Sequence, residues 1–233
     1  IQGEMKFTGS PSIELRIQEK CLSLQQDNSS MHVGTSVWPC SLILAKFIDR
    51  WISASSSSPN RYTTLLDFRN KRGIELGAGC GAAGMALHIL GLVDIVLTDI
   101  APVMPALRHN LKRNKATLGR MLKTGILYWS NSAQIESFAP PFDVVVAADV
   151  VYIEETVPHL IRAMKSLVAD DGVVLLGYQV RSPEADKLFW EMSEIEFVAY
   201  KIRREDLHPD YAFEDSDVFI FRKKKIDGNV LMN

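Results

Sequence analysis

The chain has 233 residues, of which 47% are apolar and 23% charged, with a net charge of −2. That size suits one α/β domain whose core needs no disulfide or metal staple. The charge balance removes any general drive toward nucleic acid, whose phosphates demand clustered Lys and Arg.

In chain order, Ile13, Leu15 and Ile17 alternate with polar residues, and Leu22 and Leu24 resume the alternation after Glu19-Lys20. This is the pattern of a β-hairpin. Val37-Trp38-Pro39 then leads into a helix carrying Leu44, Phe47, Ile48 and Trp51, with Pro39 in the first turn, where proline is tolerated. Ser53 to Asn60 reads as a serine-rich loop. From Arg72 onward, short apolar runs alternate with helical stretches. Gly73 to Leu76 predicts a strand, followed by a glycine-rich turn and a helix through Leu90. Ile95 to Asp99 predicts a second strand, and Met104, Leu107 and Leu111 mark a second helix. Gly125 to Tyr128 predicts a third strand. Phe142 to Ala148 predicts a fourth, and its unbroken Val144-Val145-Val146 suits a strand covered on both faces. A helix from Thr156 to Leu167 is expected to end before Asp170-Asp171-Gly172. Val173 to Leu176 predicts a fifth strand, and a helix starting near Pro183 carries Phe189. Phe197 to Tyr200 and Val218 to Phe221 close the series as two strands. Strands alternating with helices imply a mostly parallel sheet with right-handed crossovers, and the last two strands imply an antiparallel pair at one edge. A single domain over 1–233 is expected, with a hairpin extension (1–36), a catalytic core (37–225) and a tail (226–233).

The longest apolar stretch, Met85 to Leu97, is broken by His88 and Asp94 and is too short to span a bilayer. Cys21, Cys40 and Cys80 lack Cys-x-x-Cys spacing, which argues against a disulfide framework or a zinc site. No signal-peptide pattern is visible. A soluble intracellular protein is expected. The basic run Arg222 to Lys225 reads as a solvated strand end, and His159 and His208 as surface residues.

The segment Glu75-Leu76-Gly77-Ala78-Gly79-Cys80-Gly81 joins the first core strand to its helix, where glycines let the backbone turn tightly and approach a ligand. Gly79, Gly81 and Gly84 also satisfy the G-x-G-x-x-G spacing of a dinucleotide site. Glu75 discriminates, because a carboxylate beside a pyrophosphate is repelled whereas S-adenosylmethionine presents an ammonium and a sulfonium. Asp99, ending the next strand, could accept from ribose hydroxyls in either case. Simpler readings stand beside these: Glu75 pairing with a nearby Lys or Arg, and Asp99 capping a helix before Pro102.

With these residues in view, the chain resembles the seven-β-strand protein methyltransferases, and among them the family-16 lysine methyltransferases. Three segments carry the resemblance: the glycine loop, Asp149-Val150-Val151-Tyr152 after the fourth strand as a D-x-x-Y signature, and Val37-Trp38-Pro39. It spans Ile13 to Arg222 and implies a Rossmann-like, seven-stranded α/β fold. It also implies that Gly77, Ala78 and Gly79 pass under the methionine part of S-adenosylmethionine, with Asp99 on the ribose and Trp129 against the adenine. Ala148 would touch the cofactor and Trp38 would pack over it, although each tryptophan could equally be core. S-adenosylhomocysteine would be the product.

Asp149 is then expected to orient a lysine ammonium, and Tyr152 to border the target channel; the alternative for Asp149 is a cap on the following turn. The acidic, aromatic loop from Arg203 to Asp217 is a candidate surface for a lysine-bearing protein, although a solvated connection is the simpler reading. The expected partner is a protein presenting a lysine, such as a chaperone or another cytosolic protein. The chain itself is expected to be a monomer in the cytoplasm, and in the nucleus as well. A small-molecule acceptor and a non-catalytic binding role are the competing functions.

Overall fold

A computed structural model describes residues 9–55 and 59–224. The strands are β1 (Ser12–Ile17), β2 (Lys20–Gln25), β3 (Arg72–Leu76), β4 (Asp94–Asp99), β5 (Lys123–Ile126), β6 (Phe142–Ala148), β7 (Val168–Tyr178), β8 (Phe197–Lys201) and β9 (Asp217–Lys223). The helices are α1 (Pro39–Ser55), α2 (Ala82–Ile89), α3 (Met104–Arg113), α4 (Lys115–Leu118), α5 (Ser132–Ser137), α6 (Val157–Leu167) and α7 (Pro183–Glu196). β1 and β2 form the expected antiparallel hairpin, and the other strands form one seven-stranded sheet in the order β5-β4-β3-β6-β7-β9-β8. Strands β3 to β7 pair in parallel, whereas β9 is antiparallel to both β7 and β8.

Period-2 alternation explains the layers. In β6, Val144 and Val146 belong to the core on one face, with residues of α1, α2, α3 and the hairpin. Val145 points to the other face, with residues of α5, α6 and α7. A strand sandwiched in this way must be apolar on both sides, as the unbroken valine run indicates. In α6, Val157, Leu160, Ile161, Met164 and Leu167 are all buried. Their i, i+3, i+4, i+7 spacing makes one apolar stripe against the sheet.

The hairpin is tied down by side-chain amides. Asn110 in α3 and Asn114 just past its end are buried, and their Oδ1 atoms accept from the Gln25 and Ser23 N–H groups at 2.8 Å. Their Nδ2 atoms donate back to the carbonyls of the same two residues at 3.0 and 2.9 Å. Two asparagines one turn apart thus satisfy the free edge of β2 as another strand would.

Several boundaries differ from those expected. The third core strand is Lys123–Ile126 rather than Gly125–Tyr128, because Tyr128 is bound by Gln134 at the entry to the unanticipated α5. β7 begins at Val168 and runs through Asp170-Asp171-Gly172, with its pairing to β6 shifted there. An irregular strand absorbs these polar residues where a break was expected. Helix α1 continues to Ser55, into the serine-rich segment, of which 56–58 lie outside the described residues. The tail 226–233 and Lys225 also lie outside them. Among the described residues no helix is long and apolar enough to cross a membrane.

Candidate functional site

Strand β3 has neighbours β4 on one side and β6 on the other, so the chain leaves it in opposite directions. The crevice at the carboxyl ends of such strands is where α/β sheets bind ligands. A cleft of about 480 Å3 opens there, lined by residues that include Trp38, Glu75, Gly77, Ala78, Gly79, Asp99, Trp129, Ala148, Asp149 and Tyr152. The residues given cofactor or catalytic roles from the sequence therefore line one cleft.

The floor is the turn after β3. Gly77 and Gly79 have φ of +64° and +55°, in the left-handed region that side chains disfavour. The Ala78 N–H donates to the Thr98 carbonyl at 2.9 Å, and the Gly79 N–H to Asp99 Oδ2 at 2.7 Å. Asp99 Oδ1 accepts from the N–H of Ile100. The loop is thereby locked onto the end of β4. The Cβ of any residue replacing Gly77 would sit 3.0 Å from Val150 and 3.5 Å from the Trp129 ring, so the indole borders the loop directly.

Glu75 is 2% exposed. Its Oε2 accepts from the N–H of Gly84 in the first turn of α2 at 3.1 Å, a group with no partner inside the helix. It has no Lys or Arg partner among the described residues, contrary to the simpler reading. Burial pushes its carboxyl up to about 8, the Gly84 N–H opposes this, and the negative Asp99 adds to it. Burial also raises Asp99, against the two N–H groups it accepts from. Nor does Asp99 cap α3, which starts at Met104. Two buried acids beside a glycine floor, with no protein cation on either among the described residues, suit a ligand that brings positive charge of its own.

Beside this floor, just past β6, Asp149 has φ +61° and donates its N–H to the Gly177 carbonyl of β7 at 3.0 Å. Its side chain is 4% exposed and held by Arg181. Tyr152 is 38% exposed on the cleft wall, and its phenol is raised by burial, then by Asp99 and Asp149. Trp38 donates its indole N–H to the Val33 carbonyl at 2.9 Å.

Sequence reasoning missed three contributors. The 3-10 turn Val33–Thr35 covers the glycine loop: a Cβ on Gly79 would lie 2.9 Å from the Gly34 carbonyl oxygen. Arg181 joins the site from beyond β7. His159 is not a surface residue as expected, since it lines the cleft from α6, half-buried, with Nδ1 inaccessible and unpartnered. No local pattern marked any of the three. His208 is also half-buried, its Nδ1 accepting from the Asp210 N–H and its ring edge-on to Tyr211. In the acidic loop, buried Asp206 accepts from the Tyr62 hydroxyl at 2.7 Å and pairs with Arg61 and Arg203, tying the loop to the segment after α1. Glu205 and Asp217 pair with Arg203 and Lys201. Much of that loop's charge is therefore spent internally.

The chain is similar to known proteins over most of its length. Protein N-lysine methyltransferase METTL21A of Xenopus tropicalis is 29% identical over 95% of this chain and 91% of its own. EEF1A lysine methyltransferase 3 of Mus musculus is 27% identical over 84% of this chain and 74% of its own. The solved ribosomal protein L11 methylase of Lactobacillus delbrueckii subsp. bulgaricus is similar in fold, with a TM-score of 0.51 at 16% identity over 91% of this chain and 99% of that one. A T. Thermophilus 16S rRNA methyltransferase solved in complex with AdoMet and guanosine gives 0.54 at 15% identity over 92% of this chain and 45% of that one. The family model described as lysine methyltransferase matches residues 16–196, and the chain belongs to that family.

Proposed function

We propose that the cleft binds S-adenosylmethionine and passes its methyl group to the side-chain amine of a lysine in a protein. One observation carries this reading: Glu75 and Asp99, with no cation beside them among the described residues, line one cleft with Asp149 and Tyr152. The acids suit the ammonium and sulfonium of that ligand, whose positive charge favours their ionised form. Gly77, Ala78 and Gly79 would lie under its methionine part, Asp99 would take the ribose, and Trp129 would stack on the adenine. Ala148 and Trp38 would close over it.

When bound, the cofactor supplies a methyl carbon on a sulfonium; the amine lone pair forms the new N–C bond while the C–S pair returns to sulfur, leaving S-adenosylhomocysteine. The protein's task is chiefly proximity and orientation. A free lysine amine has a pKa of about 10.4 and must reach the site unprotonated. Asp149 orients the nitrogen through a hydrogen bond, Tyr152 narrows the approach, and the turn at Val33–Thr35 with Trp38 excludes water. The acceptor protein is reached in the cytoplasm or nucleus, a chaperone or another cytosolic protein being the class expected.

The test is incubation of the purified protein with methyl-labelled cofactor and a cell lysate, alongside Asp149→Ala. A discrete labelled band that hydrolyses to methyl-lysine, absent with the variant although cofactor still binds, is expected. Label in metabolites instead of protein would favour a small-molecule acceptor, and parallel loss of cofactor binding would remove the role given to Asp149.

A further inference from the structure

Arg181 closes the acceptor side of the cleft. Its Nε and Nη2 donate to Asp149 Oδ1 and Oδ2 at 2.8 and 2.6 Å, a parallel fork. Its guanidinium carbon stands 4.9 Å from the centre of the Trp38 ring. The two charged side chains are 16% and 4% exposed. With Val33, Trp38 and Tyr152 they line a constriction of about 30 Å3 beside the main cleft, room for one ammonium-sized group.

A buried carboxylate alone is a poor neighbour for an amine that must shed a proton, since an opposite charge within ~4–6 Å favours the protonated form by about 1–3 pKa units. The other titratable or charged groups around the pair are few. The Cys40 thiol, from the start of α1, is pushed well above its ordinary value by burial and by Asp149, and stays neutral. Burial likewise keeps the Tyr152 phenol neutral. Asp215, from the loop before β9, acts on Arg181, Asp99 acts on Tyr152, and His159 lines the cleft from α6. Arg181 is thus the cation that cancels Asp149, and with the fork and the Cys40 thiol on the carboxylate a lone pair is still left for an incoming N–H.

We propose that Arg181 is a positioning residue for methyl transfer: through Asp149 it aims the carboxylate at the constriction and cancels its charge, so that the amine is oriented without being trapped as an ammonium. The proton then leaves to solvent before the lone pair attacks. This rests on the lysine-acceptor reading above.

The test compares the full chain with Arg181→Met, Arg181→Lys, Asp149→Asn and the double variant Asp149→Asn/Arg181→Met. One readout is the pH dependence of label transfer to lysate protein. The other needs no turnover: binding of n-butylammonium, followed by saturation-transfer NMR, to protein filled with S-adenosylhomocysteine. Arg181→Met is expected to move the acid limb of the rate profile up by about one pH unit and to bind n-butylammonium about tenfold more tightly at pH 7. Arg181→Lys keeps the charge but loses the fork, so its limb stays in place while its maximal rate falls. A pH-independent loss in Arg181→Met with unchanged n-butylammonium affinity would overturn the proposal. Should Arg181→Met fail to fold, the double variant, again without net charge, must bind n-butylammonium as the wild type does and about tenfold more tightly than Asp149→Asn; equal affinities overturn it. Wild-type protein that labels no lysine removes the acceptor reading and the proposal together, whereas labelled lysine with an unmoved limb removes the proposal alone.

Discussion

Replacing Gly84 by alanine would drive a methyl group into the Glu75 carboxylate. The new Cβ would lie 2.2 Å from Glu75 Oε2, 2.8 Å from Leu97 Cγ and 3.0 Å from Leu97 Cδ1. Alanine in a helix is favoured over glycine by about 1 kcal/mol. Overpacking of a tight core costs about 1–3 kcal/mol. Displacing the carboxyl also breaks its hydrogen bond to the Gly84 N–H and leaves a buried polar group under-satisfied, at about 1–3 kcal/mol. The net expectation is a loss of about 3 kcal/mol, or roughly 6–12 °C in melting temperature for a chain of this size. Equilibrium denaturation followed by circular dichroism measures it, with Glu75→Ala and the double variant completing a thermodynamic cycle. Because Glu75→Ala removes the atom in the way, Gly84→Ala should cost far less in that background, with a coupling of about 2 kcal/mol; the contacts to Leu97 set the remainder. A Gly84→Ala protein as stable as the wild type, or equally destabilised with and without the Glu75 carboxylate, would refute the packing argument and the placement of Glu75 with it.

The Glu75 carboxyl, raised to about 8 in the fold, favours the protonated form there, so its contribution to stability is full below the ordinary carboxylate range and is lost as pH rises toward 8. Thermal melts of the ligand-free protein should fall across pH 5 to 8, by on the order of 4 kcal/mol at most, and Glu75→Gln should fall less; a bound cation should reverse the trend. Gly177→Ala should push the start of α1 off β7, because its Cβ would lie 2.2 Å from the Cys40 carbonyl oxygen. Since Trp38 precedes that helix, cofactor affinity measured by calorimetry should fall along with stability, and normal affinity would show that the cover is placed by other contacts. Asn110→Ala should strip two hydrogen bonds from β2 and cost about 1–3 kcal/mol. Hydrogen exchange should then rise at Gln25 ahead of the sheet, and uniform protection would deny that the amide edge holds the hairpin.

Much of this molecule follows from its residues taken locally. The glycine turn was legible because positive φ at Gly77 and Gly79 leaves few other choices. The layered sheet was legible because Val144-Val145-Val146 is apolar on both faces and the helices carry apolar stripes. Glu75 stood out as an acid closing an apolar strand, and Asp149 as an acid at the end of another. Tertiary structure alone decided what those acids do. Glu75 meets Gly84 because α2 folds back over its own strand, and Asp149 meets Arg181, 32 residues on, because parallel pairing of β6 with β7 brings the ends of both strands to one edge. The cover from Val33–Thr35 and the half-buried His159 arise in the same way. Local propensity and periodicity act over a few residues, whereas charge pairing in this cleft depends on which strands become neighbours, and that is fixed by burial of the whole sheet.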